Sequence, residues 1–217
     1  MTSTAATDGP DLGSLLASVG IVPVLTIERR EDAVPLARAL VEGGFPVLEV
    51  TLRTDAGLDA AAAIAAEVPS AVVGLGTVLT PADLDRARAV GALFAVSPGA
   101  TPALLSAAAD SGLPFLPGVA TPSEMMQARA AGFTLLKYFP AEPSGGVAAL
   151  RALRGPFPDL RFCPTGGIDE HSLRDYLALP NVVAVGGSWL APAADIAAGA
   201  WSRITERARR AVQRTGA

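Results

Sequence analysis

The sequence predicts an α/β fold: a single-domain (β/α)8 TIM barrel with a short N-terminal helix. Three observations carry this expectation. Short apolar runs rich in Val, Ile, Leu and Phe recur eight times, with starts roughly 20–26 residues apart. Ala- and Leu-rich segments with helical periodicity fill the intervals. Pro and Gly gather where the runs give way to their loops. Uninterrupted apolar runs mark strands buried on both faces, and their alternation with helices specifies a parallel sheet. An open doubly wound sheet is the alternative, but its G-x-G-x-x-G fingerprint is missing after the first run.

Residues 1–10 are expected to be a flexible N-terminal extension. The first strand is IVPVL (21–25), followed by the helical stretch REDAVPLARALVEGG, closed at Gly43. VLEVTL (47–52) pairs with DAGLDAAAAIAAEV. AVVGLG (71–76) pairs with PADLDRARAVGA, where Thr80 is the N-cap, Pro81 occupies the first helical position and Gly91 ends the helix. LFAVS (93–97) leads to a helix between Thr101-Pro102 and Gly112, and PFLPG (114–118) to one between Thr121-Pro122 and Gly132. LLKYF (135–139), RFCPT (161–165) and VVAVGG (182–187) complete the eight. No linker is long enough to divide the chain, so one domain spanning 1–217 is expected.

Half of the residues are hydrophobic and 18% are charged, and the mean hydropathy is +0.40, which argues for a packed core rather than disorder. A net charge of −4 provides no basic face for a nucleic acid. The arginines of ITERARRAVQR, punctuated by apolar residues at helical spacing, read as a solvated helix face. The longest charge-free run, Val90 to Ala109, is broken by Ser97-Pro98-Gly99 and Pro102, so it does not span a membrane. MTSTAATDGPDLGS lacks the basic-then-apolar order of a signal peptide. A soluble, cytoplasmic protein with a small-molecule substrate is expected. Cys163 and His171 are the only residues of their kinds, which excludes an internal disulfide and a Cys/His zinc site. His171, in IDEHSL, reads as the exposed first turn of a helix capped by Asp169 rather than as a triad member. The chemistry is left to Lys, Glu, Asp, Ser or Thr, with no metal and no cofactor.

Four constellations offer that chemistry. In FTLLKYFPAEPSGG, Lys137 lies in an apolar strand, where an ammonium needs a partner. Facing inward with Leu135 and Phe139, it would be a desolvated amine poised to attack a carbonyl. Facing outward, it would lay its stem on a helix and snorkel to water. The strand pattern alone leaves both readings open. In VLEVTLRT, Glu49, Thr51 and Arg53 alternate with Leu48, Val50 and Leu52. That alternation sends the polar set into the barrel, with Glu49 as proton shuttle and Arg53 as a bidentate carboxylate clamp. A structural ion pair is the bland alternative. Backbone amides of PTGGI (164–168) and VGGSWL (185–190), after the last two strands, suit a phosphate cradle. GLGT (74–77) lets a ligand approach the backbone and offers the Thr77 hydroxyl.

Together these groups describe a site for a phosphorylated 2-keto acid. Here LEVTLRT, GLGTVL, SPG, KYFPAE, GPF, RFCPTGGI, DYLAL and GGSWL resemble, in order from about Val22 to Trp189, the 2-keto-3-deoxy-6-phosphogluconate (KDPG) aldolase family, also called 4-hydroxy-2-oxoglutarate (KHG) aldolases. The resemblance implies a class I, metal-independent aldolase of the Entner–Doudoroff pathway, yielding pyruvate and glyceraldehyde 3-phosphate. It puts the Schiff-base lysine on Lys137 and the proton-transfer glutamate on Glu49. Pyruvate carboxylate contacts fall on Arg53 and Thr77, phosphate contacts on Gly166, Gly167, Gly187 and Ser188, and stereochemical choice at C4 on Thr165. It also implies a homotrimer. Departures are Tyr138, where Phe is common, Pro143-Ser144 before the Gly-Gly turn, and a longer polar N-terminus.

Three other readings remain open from the sequence. One is a phosphogalactonate aldolase, although EVTLRT and RFCPTGG look more like the gluconate branch. A second is a phosphate-binding barrel isomerase or synthase without a covalent intermediate. The last is a non-catalytic sugar-phosphate sensor.

Overall fold

In the computed structural model, residues 11–215 are described; the expected extension over 1–10 lies outside them. The strands are β1 (Ile21–Leu25), β2 (Val47–Thr51), β3 (Val72–Gly76), β4 (Phe94–Val96), β5 (Phe115–Leu116), β6 (Gly118–Val119), β7 (Leu135–Tyr138), β8 (Arg161–Pro164) and β9 (Val185–Gly187). The helices are α1 (Leu12–Val19), α2 (Arg30–Glu42), α3 (Gly57–Glu67), α4 (Pro81–Ala89), α5 (Pro102–Ser111), α6 (Pro122–Ala130), α7 (Gly146–Leu153), α8 (Leu173–Leu177), α9 (Ala193–Ala197) and α10 (Trp201–Thr215).

The strands pair in parallel as a six-stranded sheet, β5-β4-β3-β2-β1-β9, and a three-stranded sheet, β6-β7-β8. Single bridges, Phe162 to Val182 and Thr165 to Gly186, lead from β8 towards β9. The run expected as one strand over 114–118 is therefore two, because Pro117 interrupts the ladder and has no N–H to donate. The next amide, on Gly118, donates to the Ser97 hydroxyl instead (3.1 Å), while the Pro117 carbonyl accepts from Lys137 N (2.9 Å).

Helix ends follow local chemistry. Thr101 and Thr121 accept from the amides of Leu104 and Glu124. Asp83 and Glu124 reach back to the amides at the starts of α4 and α6, each bond 2.8–2.9 Å long. Gly112 has the left-handed conformation expected of a C-cap. Gly43 does not, with φ −74; the left-handed residue that turns the chain into β2 is Gly44, at φ +102.

Two apolar clusters divide the interior. The larger joins strands to helices and takes Leu48 and Val50 of β2, Ala95 of β4, and Leu136 and Tyr138 of β7. The smaller takes the alternate residues Val22, Val47, Phe94, Val96, Leu116, Cys163 and Ala184, together with Leu12 and Leu16 of α1. Period-two alternation thus assigns one face of each strand to the helices and the other to an inner layer that α1 covers. Phe94 fits that layer because Gly74 has no side chain: a Cβ there would lie 2.2 Å from the ring.

Candidate active site

Lys137 and Glu49 belong to the faces of β7 and β2 opposite the helices, as the alternation of Leu136, Tyr138, Leu48 and Val50 requires. The lysine Nζ donates to Glu49 Oε1 at 3.0 Å and Oε2 at 3.3 Å. Both side chains are 3–4% exposed. This selects the inward orientation of Lys137 over the snorkelling one. A pair so withdrawn from water is held together by mutual need: removing either partner from a buried ion pair costs about 3–5 kcal/mol. The Phe139 ring completes the surroundings, its centroid 5.4 Å from Nζ.

Gly76 explains how the carboxylate fits. A Cβ at this position would stand 2.3 Å from Glu49 Oε1 and 2.7 Å from its Cγ. The glycines of GLGT, expected to admit a ligand, instead admit the protein's own Phe94 and Glu49. Thr77 follows immediately with φ 62. A β-branched residue in that region costs about 1–3 kcal/mol and marks a place where structure is constrained by more than local preference.

Arg53 is placed differently from the expectation. β2 ends at Thr51, and Leu52 and Arg53 lie in the turn that leads to α3. The turn is tight, since a Cβ on Gly57 would be 2.4 Å from the Thr51 carbonyl oxygen. Arg53 is exposed and, among the described residues, its guanidinium has no hydrogen bond or ion pair. It stands at the rim rather than inside the sheet. Thr51, the remaining polar residue of the set, is fully buried and donates to the Leu25 carbonyl at 2.9 Å.

The two glycine loops approach one another. Thr165 bridges to Gly186, and a Cβ on Gly186 would collide with Thr165 Oγ1 at 2.2 Å. Gly166 and Gly167 have φ of 102 and 81. Gly187 is buried, with no room for a side chain beside Trp189, whereas Ser188 is exposed. Thr165, Gly166, Gly167, Gly187 and Ser188 thus come from loops following β8 and β9, while Lys137 is paired in register with Cys163 of β8. Burial pushes the Cys163 thiol up to about 12, so it stays protonated and unreactive beside the lysine. Among the described residues no group of three or more His, Cys, Asp or Glu side chains is placed to hold a metal ion, and no helix is long and apolar enough to cross a membrane.

Composition carries a strong signal for this site. Lys137 is the only lysine: the other sixteen of the 17 basic residues are arginine. Two further residues of this region, Glu142 and Tyr176, were also not anticipated. Tyr176 Oη donates to Glu142 Oε1 at 2.5 Å across 34 positions of sequence, and no periodicity announces such a contact.

The geometry can be set beside known proteins. The profile of the KDPG and KHG aldolase family matches residues 12–207. The KHG/KDPG aldolase of Escherichia coli K12 is 52% identical over 200 residues, 92% of this chain and 94% of that one. A KDPG aldolase from Legionella pneumophila, with pyruvate captured at low pH as a covalent carbinolamine intermediate, superposes with a TM-score of 0.89 at 45% identity, covering 91% of this chain and 96% of the other. The 2-keto-3-deoxy-6-phosphogluconate aldolase of Zymomonas mobilis ZM4 with 3-phosphoglycerate has a TM-score of 0.87, also at 45% identity, covering 93% and 94%.

Proposed function

The chain belongs to the KDPG and KHG aldolase family, and from that premise we propose that Lys137 and Glu49 are the catalytic pair of a class I aldolase cleaving 2-keto-3-deoxy-6-phosphogluconate to pyruvate and glyceraldehyde 3-phosphate. The enzyme also acts on 4-hydroxy-2-oxoglutarate. One observation carries the assignment of residues: the sole lysine is buried with its nitrogen 3.0 Å from a carboxylate oxygen.

The steps follow from that contact. Glu49 accepts a proton from Lys137, and the freed amine attacks the C2 ketone to form a carbinolamine. Glu49 returns that proton to the carbinolamine hydroxyl, which leaves as water and gives an iminium whose positive nitrogen is the electron sink. Glu49 then takes the C4 hydroxyl proton as the C3–C4 bond breaks, and its electron pair passes into the enamine. Glyceraldehyde 3-phosphate departs, the enamine is protonated at C3, and water hydrolyses the iminium to release pyruvate and the amine.

Arg53 at the rim and Thr77 beside Glu49 hold the substrate carboxylate. The amides of Gly166, Gly167 and Gly187 and the Ser188 hydroxyl hold the phosphate, while Thr165 between them contacts the C4 region. The two sheets are one closed eight-stranded barrel, (β/α)8, in a single domain. Supporting that reading are Pro117, which alone separates β5 from β6, the β9–β1 pairing and the two bridges from β8 towards β9. The resemblance adds a homotrimer in the cytoplasm.

The test is reduction with borohydride in the presence of pyruvate, then digestion and mass analysis. The expected adduct lies on the peptide containing Lys137. An unmodified Lys137 peptide would overturn the covalent mechanism and favour a non-covalent phosphate-binding barrel.

A further inference from the structure

Resting on the phosphate-loop assignment above, we infer that Glu142 and Tyr176 are positioning residues that hold the 166–167 glycine turn in shape for the phosphate end of the substrate. The segment from Gly166 to Tyr176 is tied at both ends to one residue. At its start the Gly166 carbonyl accepts from Glu142 N at 3.0 Å, next to the bond from Ala141 N to the Thr165 carbonyl at 2.8 Å. At its end Tyr176 Oη donates to Glu142 Oε1 at 2.5 Å. Between them, Glu142 Cβ lies 2.6 Å from where a Gly167 side chain would begin, so its stem packs against the turn itself.

Conformation and burial explain why such a tie is needed. Gly166 and Gly167 both have left-handed φ, and consecutive glycines have many alternative conformations to lose on ordering. The turn is open to solvent at Gly167, so packing alone does not confine it. Tyr176 is fully buried and therefore has a fixed place from which to hold the exposed Glu142. Burial first, and then the neighbouring carboxylate, raise the tyrosine above its ordinary value, so it remains a donor throughout the working range. The carboxylate is turned towards this phenol. That orientation occupies Oε1 with a donor and leaves backbone amides, rather than a negative side chain, to meet the anion. Glu142 is five residues beyond Lys137 on the same connection, so the tie also sets the distance between the amine and the phosphate end.

The experiment uses full-length Tyr176→Phe and Glu142→Ala, with Glu142→Gln as the conservative rescue. Two rates are read. Cleavage of the phosphorylated substrate depends on the glycine turn, whereas exchange of the pyruvate methyl protons in D2O needs the catalytic pair and the carboxylate contacts but not that turn. For Tyr176→Phe and Glu142→Ala, KM for cleavage is expected to rise about tenfold with kcat within threefold, while pyruvate exchange stays within twofold. Glu142→Gln, whose amide oxygen still accepts, should stay within threefold of the parent in both. Parallel loss of cleavage and exchange, or no change in KM, would overturn the inference and leave the aldolase assignment standing. Absence of pyruvate exchange in the unsubstituted enzyme would overturn the assignment itself. Melting temperatures of the variants separate loss of the turn from loss of the fold.

Discussion

Gly76→Ala is the most searching perturbation of the catalytic pair because it replaces neither member. Gly76 has no left-handed φ, so alanine suits its backbone and only space is at issue. The new methyl would stand 2.3 Å from Glu49 Oε1, 2.7 Å from Cγ and 2.9 Å from Cδ. Ordinary contact needs roughly 3.4 Å, so the carboxylate must retreat by about 1 Å. A displacement of that size cannot leave the contact with Lys137, now 3.0 Å, in its present geometry. A catalytic group misplaced by about 1 Å costs about 100-fold, and the added methyl costs about 1–3 kcal/mol of stability through overpacking. The assay is pyruvate release coupled to NADH oxidation by lactate dehydrogenase, with urea unfolding as the stability measure. Trapping of pyruvate on Lys137 should slow but persist, since the amine remains while its proton acceptor has moved. A variant that keeps kcat within threefold of the parent would refute the argument that Glu49 works from the observed position.

Thr77 and Asp83 carry two further expectations. Thr77→Gly relieves a left-handed β-branched residue and is expected to leave the protein as stable or about 1 kcal/mol more stable, while KM rises through loss of the hydroxyl; a clear loss of stability by urea unfolding would contradict this. Asp83 is the pH case: burial acts to raise its pKa, but the amides of Leu79 and Thr80 and the Arg86 guanidinium outweigh it and hold the carboxyl below its ordinary value. A lowered folded value means stability present above about pH 4 and lost as pH falls further. Asp83→Asn should therefore cost about 0.3–1 kcal/mol at pH 7, a difference that narrows as pH falls below about 4. A gap in unfolding midpoint that did not narrow at all between pH 7 and pH 3 would refute the capping argument.

The strands were legible because they are buried on both faces, so that IVPVL and VLEVTL stand out from the alanine-rich helices around them. Caps at Thr101 and Thr121 were legible for a local reason, a side chain bonding an amide three residues on. The break at Pro117 could have been read from the missing N–H, and the lone lysine by counting. Other features lie beyond any local pattern. Whether Lys137 faced in or out depends on which side of β7 the helices cover, and that is set by residues far along the chain. Arg53 continued the alternation of β2 on paper, but the tight turn at Gly57 ends the strand first. Gly76 looked like room for a ligand, because nothing in sequence says that Glu49, 27 positions earlier, occupies the space.

Concentrating all ε-amine chemistry in one sheltered side chain has a protective side. Free aldehydes condense with neutral amines, and glyceraldehyde 3-phosphate, an aldehyde, leaves this protein at every turnover. Its outer surface answers with guanidinium groups, which stay protonated and are poor partners for that condensation. Apart from the chain's amino terminus, the nitrogen that forms imines most readily is the one whose job is to form them.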